Sequence, residues 1–204
     1  MTAAENRLII FLKAPRAGSV KTRLATTLGD HAALEAYRLL LATTLGAMQP
    51  LSSVELRFTP DDAAEEAARL LRPGWTAVAQ GPGDLGERLA RAFDDAYREG
   101  ARRVAVIGSD CPDLTAADIT EAWETLDESD VVLGPATDGG YWLLASRRPC
   151  AFLFRGIPWS SSAVLAATRR RAESAGLEVT LLRELTDVDT EEDWLRWLQS
   201  RSAA

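Results

Sequence analysis

The sequence predicts a three-layer α/β/α domain on a mostly parallel, partly mixed sheet. Three observations carry this. Short apolar runs alternate with longer helix-like segments along the chain, the pattern of helices laid on both faces of a sheet. Several of the runs are continuously apolar, Leu8–Leu12 and Val104–Ile107 among them, as strands covered on both faces are. A long loop separates the strand-like runs Val131–Gly134 and Tyr141–Ala145, so the later sheet is expected to be mixed.

In chain order, the first strand is predicted at Arg7–Leu12 and a helix at Asp30–Ala47. A second strand at Val54–Phe58 leads to a helix at Asp61–Leu71, and a third at Trp75–Ala79 leads to a helix at Leu85–Glu99. The fourth strand, Arg103–Gly108, precedes a helix at Thr115–Leu126. Strands at Val131–Gly134 and Tyr141–Ala145 follow, then a helix at Ser160–Ala175, a strand at Glu178–Leu182 and a helix at Thr190–Gln199. Asp61, Asp84, Thr115, Ser160 and Thr190 stand where N-caps are wanted. Glu191, Glu192 and Asp193 place acids in the last helix's first turn, where the helix dipole favours them.

The 204 residues suit one domain spanning 1–204, and 47% hydrophobic with 26% charged residues is an ordinary globular composition. A formal net charge of −7 argues against nucleic-acid binding, which rests on spread positive charge. No apolar run is long enough to cross a membrane, and Met1–Arg7 lacks a leader's apolar core, so a cytoplasmic location is expected. Cys111 and Cys150 lack zinc-ligand spacing, and with His31 as the one histidine they read as reduced structural thiols.

Only two lysines occur against 21 arginines. Both, Lys13 and Lys21, fall in the loop after the first strand, together with Gly18 and Arg23. A basic, glycine-containing loop in that position is a common phosphate cradle. It is no Walker A motif, because Val20 separates Ser19 from Lys21-Thr22. In such folds ligands sit at the C-terminal strand ends, and the other informative loops fall there too. Gly108-Ser109-Asp110 ends the fourth strand and offers a carboxylate, Asp110, to Mg2+ or Mn2+, with Ser109 beside the nucleotide. Asp187 and Asp189, two apart, compete for the place of second metal ligand, with Asp189 preferred. Gln80-Gly81-Pro82-Gly83 lets the backbone approach a flat ligand, and Gln80 can offer an amide edge to a base. Asp138-Gly139-Gly140-Tyr141 clears space for a substrate, with Asp138 as base or substrate contact, and Trp159 can wall the pocket.

These blocks resemble a bacterial GT-A-like family whose members are labelled glycosyltransferases, some of the arsenosugar-biosynthesis type, within the nucleotide-diphospho-sugar transferase superfamily. The likeness runs from Leu8 to Leu198. It is carried by Lys-x-Pro-x-x-Gly-x-Val-Lys-Thr-Arg-Leu, Gly-Asp-Leu-Gly-Glu-Arg, Gly-Ser-Asp-Cys-Pro-Asp-Leu, Asp-Gly-Gly-Tyr and Asp-Val-Asp-Thr-x-Glu-Asp. The resemblance implies that Lys13, Gly18, Lys21 and Arg23 hold phosphates and that Gln80, Leu85 and Gly86 lie near the base. It also implies that Asp110 and Asp189 bind the metal. Asp110-Cys111-Pro112 departs from the Asp-x-Asp of typical GT-A enzymes, and Ser161 stands where the family favours Thr.

Two chemistries are expected from this set. One is glycosyl transfer from a nucleotide-diphosphate sugar to a small-molecule acceptor, with Asp138 taking the acceptor's proton. The other is nucleotidyl transfer from a nucleoside triphosphate to a phosphorylated molecule, with Lys21 and Arg23 stabilising phosphate charge. The cations of the first loop favour a triphosphate, and the family label favours glycosyl transfer, which is placed slightly ahead. A non-catalytic nucleotide-binding module is the third reading, and the presence of both metal acids argues against it.

Overall fold

A computed structural model describes residues 5–202; the reading of Met1–Ala4 as leader-free lies outside them. The strands are β1 (Asn6–Lys13), β2 (Val54–Thr59), β3 (Thr76–Ala79), β4 (Arg103–Ile107), β5 (Val131–Pro135), β6 (Tyr141–Ser146) and β7 (Val179–Leu181). They form one seven-stranded sheet in the order β3-β2-β1-β4-β6-β5-β7. Neighbours are parallel except at β6, which runs against both β4 and β5. The sheet is therefore mixed, as the loop before Tyr141 implied.

The helices are α1 (Thr22–Leu28), α2 (Asp30–Ala47), α3 (Ala64–Ala68), α4 (Leu85–Arg98), α5 (Ala116–Thr125), α6 (Val164–Ser174) and α7 (Glu191–Ser202), with a 3-10 turn at Ala151–Phe154. Alternate residues of β1 enter opposite cores, as the two-residue period of a strand requires. Leu8, Ile10 and Leu12 pack with Leu41 of α2, Ala67 of α3 and Ile119 of α5. Ile9 packs with Phe93 of α4, Phe154 and Ala172 of α6. Three layers result. α7 lies outside α2, through Leu40, Val188 and Trp197.

Capping decides where several helices start. Asp84 accepts from Glu87 N at 2.9 Å while Glu87 Oε2 accepts from Asp84 N at 2.9 Å, a reciprocal box that fixes the start of α4. Thr115 with Asp118 does the same for α5, and Thr190 with Asp193 for α7. Two expected caps are corrected. α6 starts at Val164, four residues later than expected, because Ser160 holds a left-handed backbone (φ 61°) that no helix contains. α3 starts at Ala64, because the Asp61 carboxylate instead accepts from Gly81 N at 3.1 Å. The sequence reading also missed α1, a seven-residue helix too short to show a period.

β2 carries a buried ion network. Glu55 and Arg57 are both 2% exposed. Arg57 pairs with Glu55 and with Asp95 of α4 at 3.0 Å, and Arg7 reaches Glu55 at 3.1 Å. Removing one partner strands a buried charge, whereas removing both need not destabilise. Arg57→Met is expected to cost about 3–5 kcal/mol in urea unfolding, with much of it recovered in Glu55→Gln/Arg57→Met. A loss under about 1 kcal/mol in the single variant would show that the network contributes little.

On the opposite side of the sheet, Asp118 pairs with Arg183 and caps α5 through Thr115. Burial pushes its carboxyl up, but the hydrogen bonds from Arg183 and Thr115 outweigh this and hold it below the usual range. A depressed folded pKa gives stability above the unfolded value of about 3.9, lost as pH falls through the folded one. Asp118→Asn is therefore expected to cost about 1 kcal/mol at neutral pH, a difference that shrinks below about pH 4 in acid-series urea melts.

Candidate functional site: paired acids on a buried lysine

Four chain segments meet at the C-terminal ends of β1 and β4. The loop after β1 is anchored by Ala14 and Val20, both in the core. It ends at Lys21, which takes a left-handed backbone (φ 47°, ψ 47°) just ahead of α1. Such a conformation is costly for a residue with a Cβ, and functional sites are where it persists. It turns the side chain inward. The Lys21 ammonium lies 2.9 Å from Asp110 Oδ1 and 2.8 Å from Asp189 Oδ1, with the side chain only 4% exposed. Arg23 stands 3.6 Å from the other oxygen of Asp189 and is largely exposed.

The two acids come from far-apart loops that are stitched together. Val188 N donates to Asp110 O at 2.9 Å, a main-chain bond between the loop after β4 and the loop before α7. Asp193 then accepts from Thr190 N at 3.0 Å and from Thr190 Oγ1 at 2.6 Å, fixing the chain just beyond Asp189. Burial pushes the Lys21 ammonium toward neutrality, but Asp110 and Asp189 outweigh it and hold its pKa above the ordinary value. Burial pushes Asp187 up to about 6, helped by the carboxylates of Asp138 and Asp189. The same burial, with Asp187 and Asp110 nearby, raises the Cys111 thiol well above the usual range and so disfavours the reactive thiolate.

Two clefts meet at Asp110. One, of about 570 Å3, is walled by Lys13, Lys21, Arg23, Gln80, Leu85 and Ser109. The other, of about 260 Å3, is walled by Asp138, Gly140, Tyr141, Trp159 and Asp187. Asp110, Phe11, Leu85 and Gly108 line both. The geometry thus brings together most of the residues picked from sequence. It also places Asp189, rather than Asp187, on the ammonium.

Several expected contacts take other roles. The Gln80 amide nitrogen already donates to Leu12 O at 3.2 Å and Arg57 O at 2.9 Å, so its amide edge is not free for a base. Gly86 faces away from the larger cleft: a Cβ there would meet Phe154 O at 2.3 Å and Trp159 Nε1 at 2.9 Å. Its lack of a side chain seats α4 against the 3-10 turn. Gly18 turns the first loop (φ 75°) beside Asp30 and lines neither cleft. Gly139 has φ 88°, and a Cβ would meet Ser162 O at 2.3 Å, so it lets the Asp138 loop touch the segment before α6. Asp138 Oδ1 accepts from Gly140 N at 2.7 Å, leaving Oδ2 for other work. The Tyr141 ring stands edge-on to Trp159 at 6.4 Å between centroids.

Sequence reasoning missed two residues here. Arg88, on α4 one turn past the Asp84 cap, lines the larger cleft and reaches Gln80 Oε1 at 3.4 Å. Its position in Gly-Asp-Leu-Gly-Glu-Arg was the available signal. Tyr37 donates to Lys13 O at 2.9 Å and accepts from Lys13 N at 2.9 Å, pinning the start of the loop. Burial pushes its hydroxyl up to about 12.

Among the described residues no set of three or more His, Cys, Asp or Glu side chains converges as a metal cage. The paired acids still fit a hard cation. Among the described residues Asp110 Oδ1 is buried without a hydrogen-bond partner, with the Lys21 ammonium 2.9 Å away. Mg2+ characteristically takes one or two carboxylates and completes its shell with phosphate and water.

A 3-2-1-4-6-5-7 mixed sheet with acids at the tips of β4 and the pre-α7 loop defines a GT-A-like nucleotide-diphospho-sugar transferase fold, and the protein is an enzyme of the transferase type. More narrowly, the chain belongs to the family described as an uncharacterized protein conserved in bacteria (DUF2064), whose model matches residues 42–161. The structure is similar to that of a candidate nucleotide-diphospho-sugar transferase from Desulfovibrio desulfuricans G20, with 35% identity, a TM-score of 0.86, and 92% of this chain and 83% of that chain covered. More distant likenesses show the fold alone. The manganese complex of Rv0371c from Mycobacterium tuberculosis H37Rv has 15% identity and a TM-score of 0.56, covering 97% of this chain and 100% of that one. The inositol-1-phosphate CTP transferase from T. maritima has 14% identity and a TM-score of 0.56, covering 94% and 92%. No curated protein matches the sequence. No helix among the described residues is long and apolar enough to cross a membrane.

Proposed function

We infer that this nucleotide-using transferase moves a glycosyl group from a nucleotide-diphosphate sugar to a small-molecule acceptor. The observation that carries the reading is the position of Asp110, which lies in the wall shared by the two clefts and is paired across Lys21 with Asp189. Chemistry is expected at that junction. The larger cleft takes the nucleotide diphosphate and the smaller one the sugar and acceptor.

Charge supports a diphosphate over a triphosphate. Arg16 pairs with Asp62 and Glu66 rather than with the cleft. Lys13, Lys21, Arg23 and Arg88 line the larger cleft, but Lys21 is held by two carboxylates and Arg23 stands 3.6 Å from one of them. The surplus of loop cations that favoured a triphosphate in the sequence is therefore smaller in the folded protein.

Mg2+ or Mn2+ held by Asp110 and Asp189 would supply charge neutralisation for the departing diphosphate. The chain's own groups do the rest. Arg23 and Lys13 bind the phosphates, Leu85 lies against the base, and Trp159 with Gly139 and Gly140 shapes the acceptor side. Asp138 Oδ2 receives the acceptor's proton as its oxygen attacks the anomeric carbon and the bond to the diphosphate breaks.

The same junction can serve attack on an α-phosphate, so the product decides. Incubation with Mg2+ or Mn2+ and panels of nucleotide sugars and nucleoside triphosphates is expected to release nucleoside diphosphate. Pyrophosphate release with a phosphorylated acceptor would replace this reading by nucleotidyl transfer.

A further inference from the structure

The smaller cleft has a chemical bias of its own. Phe11, Leu89 and Val106 line it with Tyr141 and Trp159, whose rings meet edge to face at 74°. Asp110, Asp138 and Asp187 line it as well, and the Asp138 carboxylate acts on Asp187. Among the described residues lining it there is no Lys, Arg or His. The nearest ammonium, Lys21, lies on Asp110 and Asp189 and lines only the larger cleft. The cations of the site therefore stand on one side of Asp110 and the unpaired acids on the other.

A phosphate ester entering the smaller cleft would meet three carboxylates and no basic side chain. Recognition of phosphate by proteins rests on Arg, Lys or backbone N–H groups. Hydroxyl and amine groups, in contrast, donate to carboxylates, and the ring of a sugar or an arene offers an apolar face to indole. Asp138 is held for this by its own turn: with Oδ1 on Gly140 N, Oδ2 is the free acceptor.

We propose that the second substrate is an unphosphorylated molecule that rests an apolar ring face on Trp159 and gives hydroxyl or amine donors to Asp138. This rests on the reading of the larger cleft as the nucleotide side. It also separates the two chemistries, because a phosphorylated partner would bring its own phosphate beside Asp138 and Asp187, where no basic side chain lines the cleft.

Saturation-transfer NMR on the full chain tests it with three probes: para-nitrophenyl β-glucoside, tyramine and para-nitrophenyl phosphate. Nucleoside diphosphate with Mg2+ is observed in the same sample, so a failed nucleotide cleft is seen independently of a failed second cleft. The glucoside and tyramine are expected to bind at least about tenfold more tightly than the aryl phosphate, and both are expected to weaken about tenfold in Trp159→Ala. Asp138→Asn keeps an acceptor for Gly140 N, so the loop holds; it is expected to weaken tyramine about tenfold and the glucoside less. The proposal is overturned if the phosphate binds as well as the glucoside. It is equally overturned if neither neutral nor amine probe binds while the nucleotide does, or if both variants leave tyramine unchanged.

Discussion

Asp110→Asn is expected to abolish metal-dependent nucleotide binding while leaving the fold intact. The substitution removes one full negative charge and keeps the shape. The main-chain bond from Val188 N to Asp110 O is untouched, so the two acid loops stay joined. What is lost is the charged oxygen at the boundary of the two clefts, the buried Oδ1 without a hydrogen-bond partner among the described residues. Mn2+ affinity, measured by calorimetry without turnover, is expected to fall at least about hundredfold, equivalent to ~2.7 kcal/mol. Thermal unfolding without metal should move little, because Lys21 keeps Asp189 at 2.8 Å. Unchanged Mn2+ dependence would remove Asp110 from the metal site. The same experiment on Asp187→Asn separates the competing acids. Asp187 is not on the ammonium, so it is expected to leave Mn2+ affinity within about threefold, roughly 0.6 kcal/mol.

How much of this was legible in the sequence depends on how far apart the partners lie. All seven strands were placed within about two residues. β1, β4, β5 and β6 are buried over much of their length and so write that length into the chain as apolar runs, while β2 alternates and β3 and β7 are short and partly exposed. The helix α2, Asp30–Ala47, was placed at its observed ends. α6 was started too early because a serine before a helical pattern looks like a cap. Only the φ of Ser160, 61°, reveals otherwise. The burial of Glu55 and Arg57 was invisible for a related reason: their partners sit on β1 and α4, and no local pattern names them.

The site shows the same division. Residue types at strand ends were readable, because the fold class says where ligands bind. The pairing of Asp110 with Asp189 was expected, but the ammonium between them was not, since Lys21 and Asp189 are 168 positions apart. Glycines misled in one direction. Gly86 looked like room for a base, but that room is filled by Phe154 O and the Trp159 indole. Gln80 misled similarly: a buried amide must satisfy its donors, and two carbonyls were within reach.

Lys21→Met is expected to split two properties that usually fall together. The ammonium occupies the space between the two acids, so any cation drawn there competes with it. Replacing it by an apolar chain of similar length leaves Asp110 and Asp189 facing each other without compensation. Mn2+ binding in the absence of nucleotide is therefore expected to tighten about tenfold, ~1.4 kcal/mol, and to weaken with added salt. Turnover is expected to move the other way, by about 100-fold or more, since a positive group beside the phosphates is lost at the point where charge develops. Arg170→Met, on the exposed side of α6, controls for the simple loss of one positive charge and should change neither quantity by more than about twofold. Weaker Mn2+ binding in Lys21→Met would mean that the lysine organises the acids rather than standing in for a cation. Equal turnover in Lys21→Met and Arg170→Met would mean that the left-handed turn at φ 47° aims the ammonium for packing alone. The opposed changes are the distinguishing signature, because a merely structural lysine would lower metal affinity and turnover in step.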